Sequence, residues 1–258
     1  MDEYIGYSAN LYDLVHIGPA GDIAFYVEKA KQYGSPMLEI GCGTGRTLVP
    51  VYEAGIDAVG IDLSADMLAV ARLKAGANGP GSGKALELVQ ADMTSFALGR
   101  SFNLIICSLY SFEQLTDIYD QRRALKCVYD HLSPGGAFIV HISRPDIRRF
   151  SRFADRPLTL QKEKTIVHPQ SGNTVLVWGG MEVDLHRQLI DWSHCFEEIG
   201  PSNEVIRKVY GGTTTRYTTR FEMQYLFELC GFEKFTVYGD FYMRSFDVQD
   251  TQLWIAHK

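Results

Sequence analysis

The chain has 258 residues, of which 46% are hydrophobic and 12% aromatic, enough to build a sizeable core. Its formal net charge of −6 argues against general nucleic-acid binding, which needs basic surface to neutralise phosphates. Five scattered cysteines with no C-x-x-C pair, and no H-E-x-x-H, argue against a disulfide framework or a metal site. No apolar run reaches the length of a membrane span, and no signal-peptide core is present, so a cytoplasmic protein that does not engage membranes is expected.

The chain opens on a tyrosine-rich stretch, Tyr4, Tyr7 and Tyr12, followed by Asp13 and His16. Gly18-Pro19-Ala20-Gly21 interrupts it, and Asp22 can cap a helix over residues 23–32. A short apolar run, Met37 to Ile40, reads as a buried strand. It breaks into Gly41, Gly43 and Gly45 at alternate positions before a helix over residues 47–54. Glycine permits positive φ and leaves no Cβ between backbone and ligand, so such a turn exposes backbone N–H groups to a nucleotide-like cofactor. The dinucleotide fingerprint G-x-G-x-x-G is not met, because Arg46 stands where its last glycine would be.

A second strand, residues 58–61, closes on Asp62, placed to accept hydrogen bonds from ribose hydroxyls. Ser64 can cap a helix over residues 65–73, and residues 76–84 form a glycine-rich connection. The stretch from Leu86 reads as a third strand, closing on Asp92 and Met93. Residues 102–107 read as a fourth, with Ser108, Tyr110 and Glu113 at its exit, the carboxyl edge where open α/β sheets bind ligands. A helix over 117–132, the turn Ser133-Pro134-Gly135-Gly136 and a strand over 137–142 containing His141 complete the alternation. Strands alternating with helices imply a parallel sheet.

From Ser143 the pattern changes. Residues 144–164 hold seven Arg/Lys against three Asp/Glu. Short alternating runs follow at 174–178, 181–185, 189–197 and 205–210, separated by turn formers. They read as an antiparallel subdomain over residues 146–215, and its histidines, His168, His186 and His194, are expected at the surface. Thr218 or Thr219 caps a helix over 220–230 ended by Gly231, and strands at 234–238 and 252–257 close the chain. Residues 1–145, with 1–34 as an N-terminal lid and helix, and residues 216–258 are expected to form the core.

Three motifs stand together: E-x-G-x-G-x-G at Glu39–Gly45, G-x-D-x-S-x-x-M-L at Gly60–Leu68 and Q-A-D-M at Gln90–Met93. In combination they resemble the class I S-adenosylmethionine-dependent methyltransferases. L-S-P-G-G before the fifth strand and the tail from Arg216 to Phe232 match features of compact small-molecule members. Those members include amino-sugar N,N-dimethyltransferases and the glycine N-methyltransferase group. The resemblance implies a Rossmann-like seven-stranded, mostly parallel sheet with helices on both faces, an antiparallel last strand and an inserted antiparallel β subdomain. It implies S-adenosyl-L-methionine as cofactor, S-adenosyl-L-homocysteine as product and a small-molecule acceptor methylated at N or O. The insert then covers the acceptor or makes a homodimer contact.

Carried over residue by residue, the resemblance assigns Gly41, Cys42, Gly43 and Gly45 to the loop beneath the methionine moiety, with Glu39 facing its amino group. It assigns Asp62 and Leu63 to the ribose, Met67, Asp92 and Met93 to the adenine, and Cys107 and Ser108 to the site wall. Tyr12 is expected to fold over the cofactor. Tyr12, His16, Tyr110, Glu113 and His141 are the candidates for substrate chemistry, since a hydroxyl acceptor gains from a general base. The basic run suits an anionic acceptor or a solvated loop, and Trp178, Trp192, Phe196 and Tyr217 suit an acceptor pocket or sheet core. A nicotinamide-dependent oxidoreductase and a catalytically silent cofactor binder stay open as alternatives.

Overall fold

The computed structural model describes residues 7–77, 85–154, 156–246 and 251–258, with the side chains of residues 7–10 and 77 left aside. Tyr4 and most of the 76–84 connection lie outside the described residues, and Tyr7 is described in its backbone alone. The chain divides into two compact units, one of residues 18–145 and 217–258, the other of residues 1–17 and 146–216.

Helix α1 (Tyr7–Val15) belongs to the second unit, and in the first the order is α2 (Asp22–Tyr33), β1 (Met37–Ile40), α3 (Leu48–Glu53), β2 (Ala58–Asp62), α4 (Ala65–Ala77), β3 (Leu86–Gln90) and β4 (Phe102–Cys107). A 3-10 turn (Ser111–Gln114), α5 (Ile118–His131) and β5 (Leu132–Ser143) follow. After the second unit the chain returns as α7 (Arg220–Cys230), β10 (Lys234–Tyr238) and β11 (Thr251–His257). The strands form one seven-stranded sheet in the order β10-β11-β5-β4-β1-β2-β3. All neighbouring pairs are parallel except those of β11, which runs antiparallel to both β5 and β10.

Alternation of apolar side chains covers both faces of this sheet. Leu38, Ile40, Ile105, Phe138 and Trp254 pack under α5 and α7, through Leu125, Val128 and Phe227. Met37, Leu104, Ile106, Ile139 and Leu253 pack under α2 and α3, through Phe25, Tyr26, Leu48 and Val51. A buried side chain of this size stabilises the fold by about 1.5–3 kcal/mol relative to exposure. Helix ends follow the expected chemistry. Thr219 and Glu222 form a reciprocal capping box at the start of α7, and Gly231 ends it at φ +99°. Asp117 caps α5 by accepting from Tyr119 N–H, and Ser64 Oγ accepts from Met67 N–H. Asp22 differs from expectation: Gly21 occupies the cap, and Asp22 is the first helical residue. The expected turn at 133–136 is also different, since β5 pairs already at Leu132 and shifts register before Ala137.

The second unit holds α1 (Tyr7–Val15), the short α6 (Ile147–Phe150), β6 (Gln161–Val167), β7 (Thr174–Asp184), β8 (Leu189–Ile199) and β9 (Val205–Arg216). Its sheet is antiparallel, in the order β6-β7-β8-β9. The boundary differs from the sequence expectation, which placed residues 1–34 with the core. Leu11 and Val15 of α1 pack on Val175, Val177 and Phe196, and Lys164 Nζ donates to Val15 C=O at 2.6 Å. The runs 174–178 and 181–185 are one strand, not two. At Gly179 and Gly180 a Cβ would lie 2.2 Å from Glu163 Oε1 and 2.7 Å from Thr159 C=O, so these glycines admit close neighbours within the strand. The same holds at Gly212, where Trp192 C=O lies 2.5 Å from a Cβ position, and β9 runs on to Arg216. Strand β6 lay hidden in the basic run, where no alternation marks it.

Candidate active site

The glycine loop joins β1 to α3 at the centre of the seven-stranded sheet. Gly41, Gly43 and Gly45 all take positive φ, +66°, +53° and +75°. A Cβ on Gly41 would lie 2.8 Å from Ser111 Cβ, and one on Gly45 2.9 Å from Val49 Cγ2. The loop is therefore shaped by conformation and by close packing together. Val49 N–H donates to Gly45 C=O at 2.9 Å, which starts α3 directly from the last glycine.

Asp62 at the end of β2 ties this loop to the next one. One carboxylate oxygen accepts from Gly43 N–H at 2.8 Å and the other from Ser64 N–H at 2.9 Å. A carboxylate has about four lone-pair sites, so with Leu63 N–H also turned towards it about one stays available to a ligand. Burial raises its pKa, and the backbone N–H groups of Ser64, Gly43 and Leu63 oppose the rise. Leu63 beside it is exposed. Met67 and Met93 are buried, their Cε atoms 3.3 Å and 3.4 Å from the Cβ positions of Gly43 and Gly41. Both methionines thus line the loop. Asp92 accepts from Thr94 N–H at 2.7 Å in the turn after β3.

Cys42 presents only its backbone to the loop: its Sγ lies 2.7 Å from the Cβ position of Gly60, under the sheet face. Cys107 likewise points into the core under α5. Ser108, next along, donates to Glu39 Oε1 at 2.6 Å and accepts from Thr47 Oγ1 at 3.3 Å. Glu39 is 1% exposed, and its Oε2 has no hydrogen-bond partner among the described residues. Burial pushes its carboxyl up to about 8.

The exit of β4 is strained. Leu109 and Tyr110 both take positive φ, +44° and +66°, rare for side chains of this size. Ser111 Oγ donates to Gly41 C=O at 3.2 Å, and Tyr110 N–H to His141 C=O at 3.2 Å, so the strained turn is clasped between loop and β5. Glu113 Oε1 accepts from both the N–H and the hydroxyl of Ser143 at 2.6 Å, and burial pushes its carboxyl up to about 7. His141 is fully buried, its ring 4.4 Å from that of Tyr110 and 4.9 Å from that of Phe241. Its Nε2 lies 2.5 Å from Thr251 Oγ1, which spends its one hydrogen on Ile142 C=O at 3.1 Å. Its Nδ1 has no hydrogen-bond partner among the described residues. Burial lowers the imidazole to about 3, so it is neutral.

Several residues of this region were not singled out from sequence. Arg46 pairs with Asp22 across 24 positions, with side chains 14% and 5% exposed. A Cβ on Gly18 would fall 2.5 Å from Arg46 Nη1, so the backbone there passes directly over the pair. Tyr26 of α2 is buried with its hydroxyl unpartnered among the described residues. The available signal was Arg46 itself, a cation set immediately after the glycine run.

The remaining candidates, Tyr217 apart, lie in the second unit. Tyr12 and His16 stack within α1 and its exit, ring centroids 4.5 Å apart, and burial lowers His16 to about 4. Trp178 Nε1 donates to Glu197 Oε2 and Trp192 Nε1 to Thr215 Oγ1, both at 2.9 Å, while Phe196 is core. Tyr217 is buried in the first unit. Of the insert histidines only His186 is exposed; His168 is buried, where its Nδ1 accepts from Ser171 N–H at 3.2 Å, and His194 is half-buried.

No group of three or more potential metal-ligating side chains converges among the described residues. No helix among them is long and apolar enough to cross a membrane.

Residues 37–136 match the family described as "Methyltransferase domain". Over 145 residues the chain is 33% identical to a dTDP-3-amino-3,6-dideoxy-alpha-D-glucopyranose N,N-dimethyltransferase of Streptomyces fradiae, covering 54% of each chain. It thus spans about half the length of the curated relatives it matches first. Among solved structures, the CcbJ methyltransferase of Streptomyces caelestis superposes with a TM-score of 0.76 at 21% identity, over 93% of this chain and 96% of that one. An S-adenosylmethionine-bound amino pentose methyltransferase of Micromonospora echinaspora superposes with a TM-score of 0.70 at 20% identity, over 100% of this chain and 99% of that one. These likenesses share the fold. The family match over residues 37–136 is to a methyltransferase domain, and the glycine loop lies within it.

Proposed function

We propose that this protein transfers a methyl group from S-adenosyl-L-methionine to a nitrogen or oxygen of a small molecule, releasing S-adenosyl-L-homocysteine. The observation that carries this reading is the glycine loop, with three consecutive alternate glycines at positive φ and Asp62 buttoned onto Gly43. That arrangement fits the bound group: a backbone surface free of side chains, two methionines lining it and a carboxylate with an open lone pair beside it. The cofactor supplies an electrophilic methyl on a sulfonium. In this reading Asp62 holds the ribose hydroxyls, with Leu63 beside them. Met67, Met93 and Asp92 flank the adenine. Glu39 and the loop receive the methionine end.

An amine acceptor is favoured, because the relatives matched over residues in the domain are named as amino-sugar N,N-dimethyltransferases and a glycine/sarcosine N-methyltransferase. An amine attacks in its neutral form and needs orientation near the methyl more than a base. The burial of Glu113 and His141 and their bonds to Ser143 and Thr251 support a positioning role: they fix the β4 exit and hence Tyr110.

The test is incubation with methyl-labelled cofactor and a panel of nucleotide-linked amino sugars and small amines. Label on one acceptor class with stoichiometric S-adenosyl-L-homocysteine supports the proposal. Calorimetric binding of NAD with no binding of S-adenosylmethionine overturns it.

A further inference from the structure

Helix α1 is held on the second unit's sheet by a small set of contacts. Leu11 and Val15 rest on Val175, Val177 and Phe196. Lys164 Nζ adds a bond to Val15 C=O at 2.6 Å. The apolar anchor is thin, since Leu14 and Ile17 are 40% and 72% exposed. On the same sheet face, one rung beyond Val177 and Phe196, His194 stands opposite Gly179 of β7 and Gly211 of β9. Neither neighbour carries a side chain, and the Glu163 carboxylate turns into the place where one on Gly179 would stand. His194 Nδ1 is buried there with no hydrogen-bond partner among the described residues. His16, at the exit of α1, stacks on Tyr12 with ring centroids 4.5 Å apart, within electrostatic reach of both His194 and Lys164.

Two imidazoles and one ammonium therefore meet where α1 lies on the sheet. The other titratable groups facing them are Tyr12 and Asp13 of α1 and Glu163 of β6, while β7 and β9 present glycine at this rung. A protonated imidazole donates from both ring nitrogens and accepts at neither. On His194 that leaves a charged, buried Nδ1 donor with no acceptor to meet. On His16 it sets a second cation beside Lys164. Glu163 opposes the first effect and Asp13 the second, but burial outweighs each.

We propose that α1 is an acid-released strap: it lies on the sheet while His16 and His194 are neutral and lifts away as they take up protons. The device belongs to the second unit alone and holds whatever reaction the first unit carries out. In the docked state both imidazoles sit below their ordinary value, His16 at about 4 against 6.5. Released into water they regain it. Docking is therefore at full strength above about 6.5 and weakens as pH falls from there towards about 4. Between about pH 7 and about pH 5, His16 alone shifts the balance about twentyfold towards the free helix.

The test is hydrogen exchange read by peptide mass spectrometry at about pH 7 and about pH 5, corrected for the intrinsic effect of pH on exchange. Protection over residues 11–16 should fall by about twentyfold or more at the lower pH, while β7 and β8 keep theirs. His16→Gln combined with His194→Gln should hold protection of α1 within about twofold over the same interval. Should that double variant leave α1 unprotected at both pH values, His16→Phe, which keeps a ring on Tyr12, carries the comparison, with a drop about tenfold smaller than the wild type's. Equal protection of wild-type α1 at both pH values overturns the strap. Loss from β7 and β8 together with α1 does so too, since it marks unfolding of the whole unit, as does a drop in the variants as large as in the wild type.

Discussion

The carboxyl of Glu39 gives a measurable handle on the buried site. Its pKa rises from 4.5 to about 8 because burial removes the charged form from water, and the Ser108 hydrogen bond only partly opposes this. A carboxyl raised in the folded state binds its proton more tightly folded than unfolded. Its stabilising effect is full below about 4.5 and is lost as pH rises through about 8. Each pH unit between those values weakens folding by about 1.4 kcal/mol, so the whole span is worth on the order of 5 kcal/mol. Glu39→Gln keeps the shape and the acceptor for Ser108 but cannot ionise. Urea unfolding of both proteins at several pH values between about 5 and 8 should show the wild type falling steadily against the variant, by roughly 4 kcal/mol overall. Taking the difference cancels Glu113 and His141, whose own shifts run through the same range. Parallel stability curves would refute the burial argument, and a wild type gaining on the variant with pH would reverse its sign.

Other consequences are as direct. Asp62→Ala should weaken S-adenosyl-L-homocysteine binding by about 1–3 kcal/mol in calorimetry, because Gly43 and Ser64 N–H lose their acceptor and the ligand loses a partner; unchanged affinity would misplace the ribose. Gly45→Ala should lower stability by about 1–3 kcal/mol, since alanine resists φ +75° and its methyl meets Val49 at 2.9 Å; a melting temperature equal to wild type counts against the loop geometry. Thr219→Ala should remove the capping box of α7 and about 1 kcal/mol of stability, with Thr219→Ser restoring most of it in the same urea titration.

Local chemistry made the first unit legible. Strand runs with acids at or near their ends, Glu39, Asp62 and Asp92, glycines at alternate positions and capping residues at Ser64 and Thr219 each act within a few residues. Contacts closed over long separations were not legible. Nothing near Asp22 announces its pairing with Arg46, and the partner of His141 Nε2 is a threonine 110 positions away. The left-handed pair Leu109 and Tyr110 runs against side-chain preference, and is held by Gly41 and His141 from outside the segment. In the second unit, Gly179 and Gly180 look like turn formers but serve a continuous strand. Tyr12 and His16 lie on a helix whose apolar partners, Val175, Val177 and Phe196, come from the far side of the insert.

Those glycines have a mechanical consequence. Gly179 and Gly211 flank His194 across β7, β8 and β9, while Gly180 and Gly212 flank Ser193 in the neighbouring rung. The ribbon is pinched to bare main chain along this line on both sides of the middle strand. Glu163 and Leu158 lie over Gly179 and Gly180 in the space that their missing side chains leave, and substitutions far from this line at one end should add to those at the other. A breeder of altered variants could reshape either end of the ribbon separately, provided the waist keeps its four missing β-carbons.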